Sequence, residues 1–374
     1  MIPHHFDAEA VFFVVRGRGT INLIHQQNKE SYNLERGDVI RVPAGALIYL
    51  INRDSNDKFQ IASLFQPVST PTNTFREFFG VGGENPESFF NVFSDEILEA
   101  AFNTERERLD KVFKQQRQGE IVEASQEQIR ALSRDASSSQ EGGHIWSRRG
   151  SRSSRGPYNL LNKRPTHSNE FGQLHEVDGN DYSQLQDLDV AVTFHNIKQG
   201  AMVAPFYNSK ATSLVVVVEG RGRFEMACPH VSSSKRQRSQ GRREYEQEEE
   251  REESGSTHYQ RVSARLSPRT AFIVPAGHPV SIVASDNQNL QIVAFKINVE
   301  NNQRNYLAGQ ENVLNQLERE AKELAFNMPA KEVEAIFNNQ RQSVFLPGPN
   351  QRQQREEGRH GGLLLDTIKD VFMF

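Results

Sequence analysis

The sequence predicts a mainly β protein with two tandem antiparallel barrels or sandwiches, each followed by a small α-helical extension. Three observations predict this fold class: a set of motifs occurs twice in the same order, many short apolar segments are separated by glycine turns, and helical spacing appears at the end of each copy. A chain of 374 residues is long enough for two to three domains, each able to bury its own core.

The repeated motifs establish an internal duplication. Residues 15–19 (VRGRG) return 203 positions later at 218–222 (VEGRG), and residues 42–45 (VPAG) return 232 positions later at 274–277. Such a change of offset is expected when one copy of a fold carries a longer surface loop than the other. The chain is therefore predicted to be bilobal.

Short apolar or alternating segments predict the strands of each lobe. In the first copy these segments are residues 10–15, 20–24, 39–42 and 48–51. In the second copy they are residues 189–197, 214–219, 223–228, 271–274, 280–283 and 291–297. Glycine and proline turns separate the segments, a pattern typical of an antiparallel sandwich or barrel.

After the strands, the apolar spacing becomes helical in both copies. Ser94 is a suitable N-cap for a helix that places Leu98 on its apolar face, and Thr104 is predicted to open a second helix through a capping box with Glu107. The second copy repeats this pair, with Pro329 in the first turn of its last helix.

Two interpretations of these amphipathic helices remain open. They either cap their own barrel or dock onto the opposite lobe of a neighbouring subunit. Several phenylalanines precede the first helix pair and favour a subunit interface. They are Phe78, Phe79, Phe89, Phe90 and Phe93.

Composition divides the chain into lobes and polar segments. We predict an N-terminal lobe at 1–133, a flexible linker at 134–156, a C-terminal lobe at 157–345 with a charged insertion at 232–257, and a polar tail at 346–374. The first lobe has no counterpart of residues 157–199, so we expect it to lack its opening strands. The three polar segments cannot bury a core and are expected to be accessible to proteases.

Charge and amino-acid usage limit the classes of function. A net charge of −4 gives no electrostatic reason to bind nucleic acid, and no stretch has the apolar length of a transmembrane helix. Cys228 is the sole cysteine, so an internal disulfide is excluded. The chain holds 32 Arg, 28 Gln and 27 Asn, a nitrogen-rich selection that fold stability does not require.

The sequence closely resembles the 7S vicilin seed globulins. The motifs that carry the resemblance are residues 4–10 (HHFDAEA), 32–38 (YNLERGD), 41–45 (RVPAG), 128–133 (QIRALS), 207–211 (YNSKA) and 301–309 (NNQRNYLAG). The resemblance implies two cupin lobes, that is, jelly-roll β-barrels, in a chain that forms a homotrimer. It also implies deposition in the protein storage vacuole of seeds as a nitrogen and carbon reserve, which vacuolar proteases degrade at mobilisation.

Enzymatic cupins resemble one another in a metal motif of two His, a Glu and a later His, and such ligands suit a catalytic metal. In each lobe the first three ligand positions of this motif can be located from Gly17 or Gly220, and the position of the later His from the VPAG motif. They are Pro3, His5, Ala10 and Ile48 in the first lobe and Phe206, Asn208, Ser213 and Val280 in the second. Only one of these eight is a ligand type, so we expect no enzyme activity of this kind.

A different metal site is predicted in the second lobe. Cys228 and His230 are two residues apart at the end of a strand and therefore point to one face, and His278 begins the strand expected to pair with it. One sulfur and two imidazole nitrogens favour copper, with zinc second. Some proteins of the resembled family hold copper with this Cys-His-His set. The alternative is a cysteine packed as a small apolar residue beside unrelated histidines.

Three classes of function thus remain open: a storage protein, a metal-binding or redox cupin that uses the copper site, and a small-ligand module that uses the barrel mouths. The storage reading alone accounts for the nitrogen-rich composition, the paired helical extensions and the replaced ligand set together.

Overall fold

The computed structural model describes residues 1–25, 28–68, 78–134, 136–137, 156–229 and 259–351. These residues form two antiparallel β lobes with short helices after each, so the predicted fold class is confirmed. All but four residues of the predicted linker, the whole insertion at 232–257 and residues 352–374 of the predicted tail lie outside the described residues.

The first lobe contains eight strands in two sheets. They are β1 (His4–Phe6), β2 (Ala8–Arg16), β3 (Gly19–His25), β4 (Asn28–Leu34), β5 (Asp38–Val42), β6 (Leu47–Asn52), β7 (Gln60–Pro67) and β8 (Phe78–Gly80). One sheet has the order β4-β3-β6-β1-β8, and in the other β7 pairs with β2 and β2 with β5. Alternate side chains such as Phe12, Ile21 and Ile48 fill the space between the sheets.

The second lobe repeats this plan and adds further strands. They are β9 (Tyr158–Asn159), β10 (His167–Asn169), β11 (Gly172–Val177), β12 (Val190–Ile197), β13 (Ala201–Asn208), β14 (Thr212–Glu219), β15 (Gly222–Cys228), β16 (Gln260–Leu266), β17 (Ala271–Val274), β18 (Val280–Ala284), β19 (Leu290–Ile297), β20 (Arg304–Tyr306) and β21 (Phe345–Pro347). The sheet orders are β10-β11-β12-β19-β14-β17 and β16-β15-β18-β13-β20, and β21 pairs with β13. Leu346 and Pro347, which the sequence assigned to the polar tail, thus belong to a strand.

The chain divides into two compact units, and each unit contains two separate stretches of sequence. The first comprises Met1–Pro165 and His175–Val192, and the second comprises Thr166–Leu174 and Thr193–Phe374. β9 explains part of this division, because it pairs with the edge of β5 within the first unit. There the side-chain amide of Asn159 donates to the buried Asp38 carboxylate at 2.9 Å and to the carbonyl oxygen of Arg36 at 3.1 Å.

The repeated glycines have a structural reason. Gly17 and Gly220 end equivalent strands with φ of +83° and +87°. An added Cβ would collide with the carbonyl oxygen of Lys58 at the first and of Asn289 at the second. A side chain is therefore excluded by both backbone conformation and space at this turn.

Five helices follow the strands: α1 (Asp95–Phe102), α2 (Arg106–Phe113), α3 (Gln126–Ser133), α4 (Arg319–Phe326) and α5 (Ala330–Phe337). Four short 3-10 helices span Phe89–Val92, Leu160–Asn162, Ser183–Leu185 and Val313–Gln316. Ser94 caps α1 as predicted, its hydroxyl accepting from the amide of Ile97 at 3.4 Å. No described helix is long and apolar enough to cross a bilayer.

The capping box predicted at Thr104 is wrong. Glu105 is the N-cap of α2 and makes no capping bond through its side chain, while the Thr104 hydroxyl donates to the carbonyl oxygen of Phe102. The capping box of the first lobe lies instead at Ser125 and Gln128 and opens α3. The local sequence allowed both positions, and the tight turn after α1 engages the Thr104 hydroxyl first.

Candidate functional site

The strand register shows that two of the cupin metal-ligand positions predicted for the first lobe are wrong. His4 pairs with Ile48 in the first lobe, and Phe206 pairs with Val280 in the second. His4 is therefore the structural equivalent of Phe206, because the first lobe has one residue fewer in the turn before Ala8. The ligand positions of the first lobe are thus His4, Phe6, Ala10 and Ile48, rather than Pro3, His5, Ala10 and Ile48.

The corrected positions do not form a cupin metal site. His4 is buried, its Nδ1 lies 2.7 Å from the carbonyl oxygen of Ile2, and its ring stacks on Phe78 at 4.5 Å. In the second lobe, the amide of Asn208 donates to the Ser213 hydroxyl at 3.4 Å, both side chains being buried. A neutral hydrogen-bonded pair thus lies where a metal-binding cupin would have ligands.

The structure places two of the three predicted copper ligands at the adjoining ends of two paired strands: Cys228 ends β15, and His278 lies two residues before β18 begins. β15 and β18 pair Met226 with Val280, and the amide of Ala227 donates to the carbonyl oxygen of Pro279 at 2.9 Å. Continued by two residues, this register sets Cys228 opposite His278, and both are buried. The third predicted ligand, His230, lies outside the described residues.

The donor chemistry of these two residues fits a soft metal. Nδ1 of His278 is 2.9 Å from the carbonyl oxygen of Ala276, a contact that requires the proton on Nδ1 and the lone pair on Nε2. A thiolate opposite such an imidazole is a ligand pair for copper or zinc. Within the described residues, no three His, Cys, Asp or Glu side chains form a metal-binding group, so a complete site needs a ligand from outside them.

The first lobe lacks the same pair. β3 and β6 pair Ile24 with Leu47, so the equivalent positions there are His25 and Ala46. An alanine offers no metal ligand, so these two positions cannot supply the predicted Cys-His pair in the first lobe.

A small, mostly apolar cavity lies inside the barrel of the second lobe, and sequence reasoning missed it. It has about 20 Å³ of space for the centre of a water molecule and is lined by Thr193, Ser213 and Lys296 among mostly apolar neighbours. Lys296 is 4% exposed, so its ammonium group places a positive charge in the barrel interior. The Thr193 hydroxyl is buried and has no hydrogen-bond partner among the described residues.

A sequence signal for this cavity was available. β19 is apolar at nearly every position, and Lys296 interrupts it directly opposite Ser213 on β14. A lysine in a buried strand is uncommon unless an anion, a carboxylate or hydrogen bonds compensate its charge.

A larger cavity of about 480 Å³ lies in the first unit beside Arg41. The Arg41 guanidinium is 3.0 Å from Glu9 and 3.5 Å from Asp187. The hydrogen bond to Glu9 is the main cause that raises the pKa of Arg41. Two carboxylates already compensate this charge, so the cavity is a weak anion site.

Comparisons with known proteins agree with this geometry. A family model described as Cupin matches residues 1–110 and 158–334. Vicilin Cor a 11.0101 of Corylus avellana is 52% identical over 96% of this chain and 74% of its own length. The chain belongs to the vicilin family.

Other vicilins extend the comparison. "Vicilin-like antimicrobial peptides 2-2" of Macadamia integrifolia is 54% identical over 95% of this chain, which spans about half (52%) of that relative's length. The crystal structure of hazelnut vicilin superposes with a TM-score of 0.80 at 50% identity, over 93% of this chain and 86% of that one. A vicilin structure from Solanum melongena, described as holding different anionic ligands in structurally similar pockets, has a TM-score of 0.80 at 40% identity over 93% and 85%.

Proposed function

We propose that this vicilin is a seed storage protein, a reserve of nitrogen and carbon without catalytic activity. Family membership carries the proposal, and two further observations support it. The 32 Arg, 28 Gln and 27 Asn residues make the chain rich in side-chain nitrogen, and seven of the eight catalytic ligand positions of the two barrels hold residues other than His or Glu. A redox cupin would explain neither the composition nor the helical extensions.

Protein abundance in seeds tests this proposal. We expect the protein to accumulate in protein storage vacuoles during seed maturation and to fall steeply after germination, while vacuolar proteases release its amino acids. Quantitative immunoblots of isolated vacuoles measure both stages. A constant level through germination would contradict the storage role.

Limited proteolysis addresses the first step of mobilisation. The polar segments 134–156 and 232–257 are the predicted first cleavage sites, on the basis of composition alone. The paired strands β14 and β15 are expected to resist cleavage, because their backbone groups are engaged in sheets. Mass spectrometry of early fragments identifies the cuts, and early cuts within β14 or β15 would contradict the proposal.

We propose that the helical extensions mediate a homotrimer. Both helix pairs expose large apolar side chains, which do not stabilise a monomer. They are Ile97 and Val112 in the first lobe and Leu324 and Ile336 in the second. Burial of such a patch against another copy would stabilise association.

We propose copper binding by Cys228, His278 and His230 as a second property. When bound, copper would supply one-electron redox chemistry, and the two described residues would supply a thiolate and an imidazole nitrogen from neighbouring strands. Elemental analysis of protein equilibrated with copper and then dialysed is expected to give about one copper per chain. We expect Cys228→Ala and His278→Ala to lose the metal.

His25→Ala is the matched control, because His25 holds the strand position of Cys228 in the first lobe. This variant should retain the metal. A thiolate-to-copper absorption band that disappears only in Cys228→Ala would identify the sulfur as a ligand. Equal copper in wild-type and Cys228→Ala protein would contradict the site.

A small-anion site in the barrel of the second lobe is a third proposal. Buried Lys296 provides the charge, and the Thr193 and Ser213 hydroxyls can donate hydrogen bonds to a compact anion. The pockets of the Solanum melongena vicilin, described as holding anions, support it by analogy.

Thermal unfolding at equal ionic strength tests the anion site. Acetate or chloride should raise the melting temperature relative to gluconate, which is too large for the cavity. Lys296→Met should remove this difference, and Thr193→Val should reduce it. The same difference between salts in all three proteins would contradict a specific site.

A further inference from the structure

The outward face of the β15–β16 hairpin carries three arginines. Arg223 lies directly opposite Arg265, and Arg261 lies opposite Ala227 on the same face. The alternate residues of β15, Phe224 and Met226, point into the core. The arginines therefore face away from the barrel, and all three are exposed or half-buried.

Within the described strands β15 and β16, only Glu225 supplies a carboxylate to the arginines. Glu225 is 3.5 Å from Arg223 and 4.0 Å from Arg261. Arg265 has no ion-pair partner in the part of the chain that the structure describes. Because like charges directly opposite on neighbouring strands destabilise a sheet, the pair formed by Arg223 and Arg265 costs stability unless an anion bridges it.

In the first lobe, the two positions equivalent to Arg223 and Arg265 hold uncharged residues. Thr20 pairs with Asn33 in the register that pairs Arg223 with Arg265. The Thr20 hydroxyl is 3.0 Å from Asn33 Oδ1 and 3.2 Å from the hydroxyl of Ser133 at the end of α3. In the first lobe these two positions are therefore neutral and Thr20 contacts a helix of the same chain, while Lys29 holds the position equivalent to Arg261. No helix contributes such a contact to Arg223 or Arg265 among the described residues.

We propose that Arg223, Arg265 and Arg261 form a binding site for a compact oligophosphate. Guanidinium groups match phosphate oxygens in bidentate geometry, and this exposed site needs a multivalent anion because water and salt weaken each single contact. Arg223 and Arg265 are cross-strand neighbours, and Arg261 precedes Arg265 by four residues along β16, about 13 Å at the usual strand rise. Inorganic phosphate reaches only the first pair, whereas a linear triphosphate approaches all three.

An acidic peptide is the alternative occupant. An oligophosphate is favoured because it concentrates several charges in a small volume, whereas a peptide loses more conformational freedom when it is ordered on a surface. Glu225 lies between the arginines and opposes any anion. Replacement of this carboxylate by a neutral amide should therefore tighten binding.

Isothermal titration calorimetry of the full chain with tripolyphosphate at low ionic strength tests the site. We expect the double variant Arg223→Thr, Arg265→Asn, which installs the residues of the first lobe, to bind at least about tenfold more weakly. Glu225→Gln should bind a few times more tightly than wild type, and wild type should bind inorganic phosphate more weakly than tripolyphosphate.

Arg53→Ser, Arg341→Ser is the matched control, because it removes two exposed arginines outside the hairpin and changes net charge equally. An equal loss of affinity in this control would overturn the proposal, since it would show a general charge effect. Failure of wild type to bind tripolyphosphate, or tighter binding of a glutamate peptide of equal charge, would also overturn it.

Discussion

Gly220 and Gly277 both have positive φ, but their surroundings differ. A Cβ at Gly220 would meet the carbonyl oxygen of Asn289, whereas a Cβ at Gly277 would meet nothing within 4 Å. Gly277→Ala should therefore lower the free energy of unfolding by about 1 kcal/mol through backbone strain alone. Gly220→Ala adds a steric clash and should cost about 3 kcal/mol. Urea unfolding measures both, and equal losses would contradict the steric account.

His175 provides a pH-dependent contribution to stability. Burial lowers its pKa from the ordinary value of 6.5, and the hydrogen bond to the carbonyl oxygen of Lys163 opposes this shift in part. The unfolded chain thus binds a proton more readily than the folded chain. The folded state is favoured above pH 6.5, and this contribution is lost as pH falls through 6.5 towards the lower folded pKa.

Substitution of His175 tests this linkage. His175→Gln removes the titrating group and should reduce the loss of unfolding free energy between pH 7 and pH 5 relative to wild type. Chemical denaturation at three pH values measures the slope. An unchanged slope would show that other groups carry the acid sensitivity.

Individual residues show which of the metal-ligand positions could be predicted from the sequence and which could not. The prediction that Cys228 and His278 lie opposite each other came from the repeat frame, on the premise that an antiparallel register is preserved between copies. The equivalence of His4 with Phe206 could not be predicted in this way. A one-residue difference in the turn before Ala8 shifts the alignment of the two copies there, and the spacing of the motifs does not show it. Strand pairing reveals this shift, since it compares residues across the sheet rather than along the chain.

Among the helical elements, α4 and α5 are joined by an ion pair in which the Lys322 side chain is buried and the Glu334 side chain is half exposed. The Lys322 ammonium is 2.9 Å from a carboxylate oxygen of Glu334 and 3.5 Å from the carbonyl oxygen of Asn315. Glu334→Ala should lower the free energy of unfolding by about 2 kcal/mol, because it leaves the ammonium buried without its carboxylate. Lys322→Met removes the charge, keeps the apolar stem and should change stability by less than about 1 kcal/mol.

The exposed pair of Arg319 and Glu323, 3.0 Å apart on α4, is the control for this comparison. Arg319→Ala should lower the free energy of unfolding much less than Glu334→Ala does, since water screens an exposed pair. Thermal or chemical denaturation of the three variants ranks them. A larger loss for Lys322→Met than for Glu334→Ala would contradict the role assigned to burial.

Element prediction succeeded where periodicity dominates and failed where local hydrogen bonds compete. Apolar spacing identified the helix pairs because one face of each helix is buried. Thr104 and Ser125 both have an acidic residue or glutamine three positions later, so the sequence alone offers two capping boxes. In the turn after α1, where Asn103 has φ of +46°, the Thr104 hydroxyl bonds to the carbonyl oxygen of Phe102 and does not cap α2. Ser125 caps α3.

At the scale of the whole molecule, the duplication predicted two lobes but not the division into compact units. β9 belongs to the second sequence copy, yet it pairs with β5 through the buried contact of Asn159 with Asp38. A contact between residues so far apart in sequence leaves no periodic pattern. The anion cavity has the same origin, because Thr193, Ser213 and Lys296 come from three strands that only the folded barrel brings together.

The proposed assembly into a trimer through the helical extensions is the central claim about the whole molecule, and native mass spectrometry tests it most directly. The wild-type protein should appear as three copies of the 42.5 kDa chain. Leu324→Glu, Ile336→Glu places charge on helix positions that are 86% and 67% exposed, so it should give monomers that remain folded. The control Val68→Glu, Tyr259→Glu changes exposed apolar residues outside the helices and should remain trimeric. A monomeric wild type, or a helix variant that stays trimeric, would contradict the account.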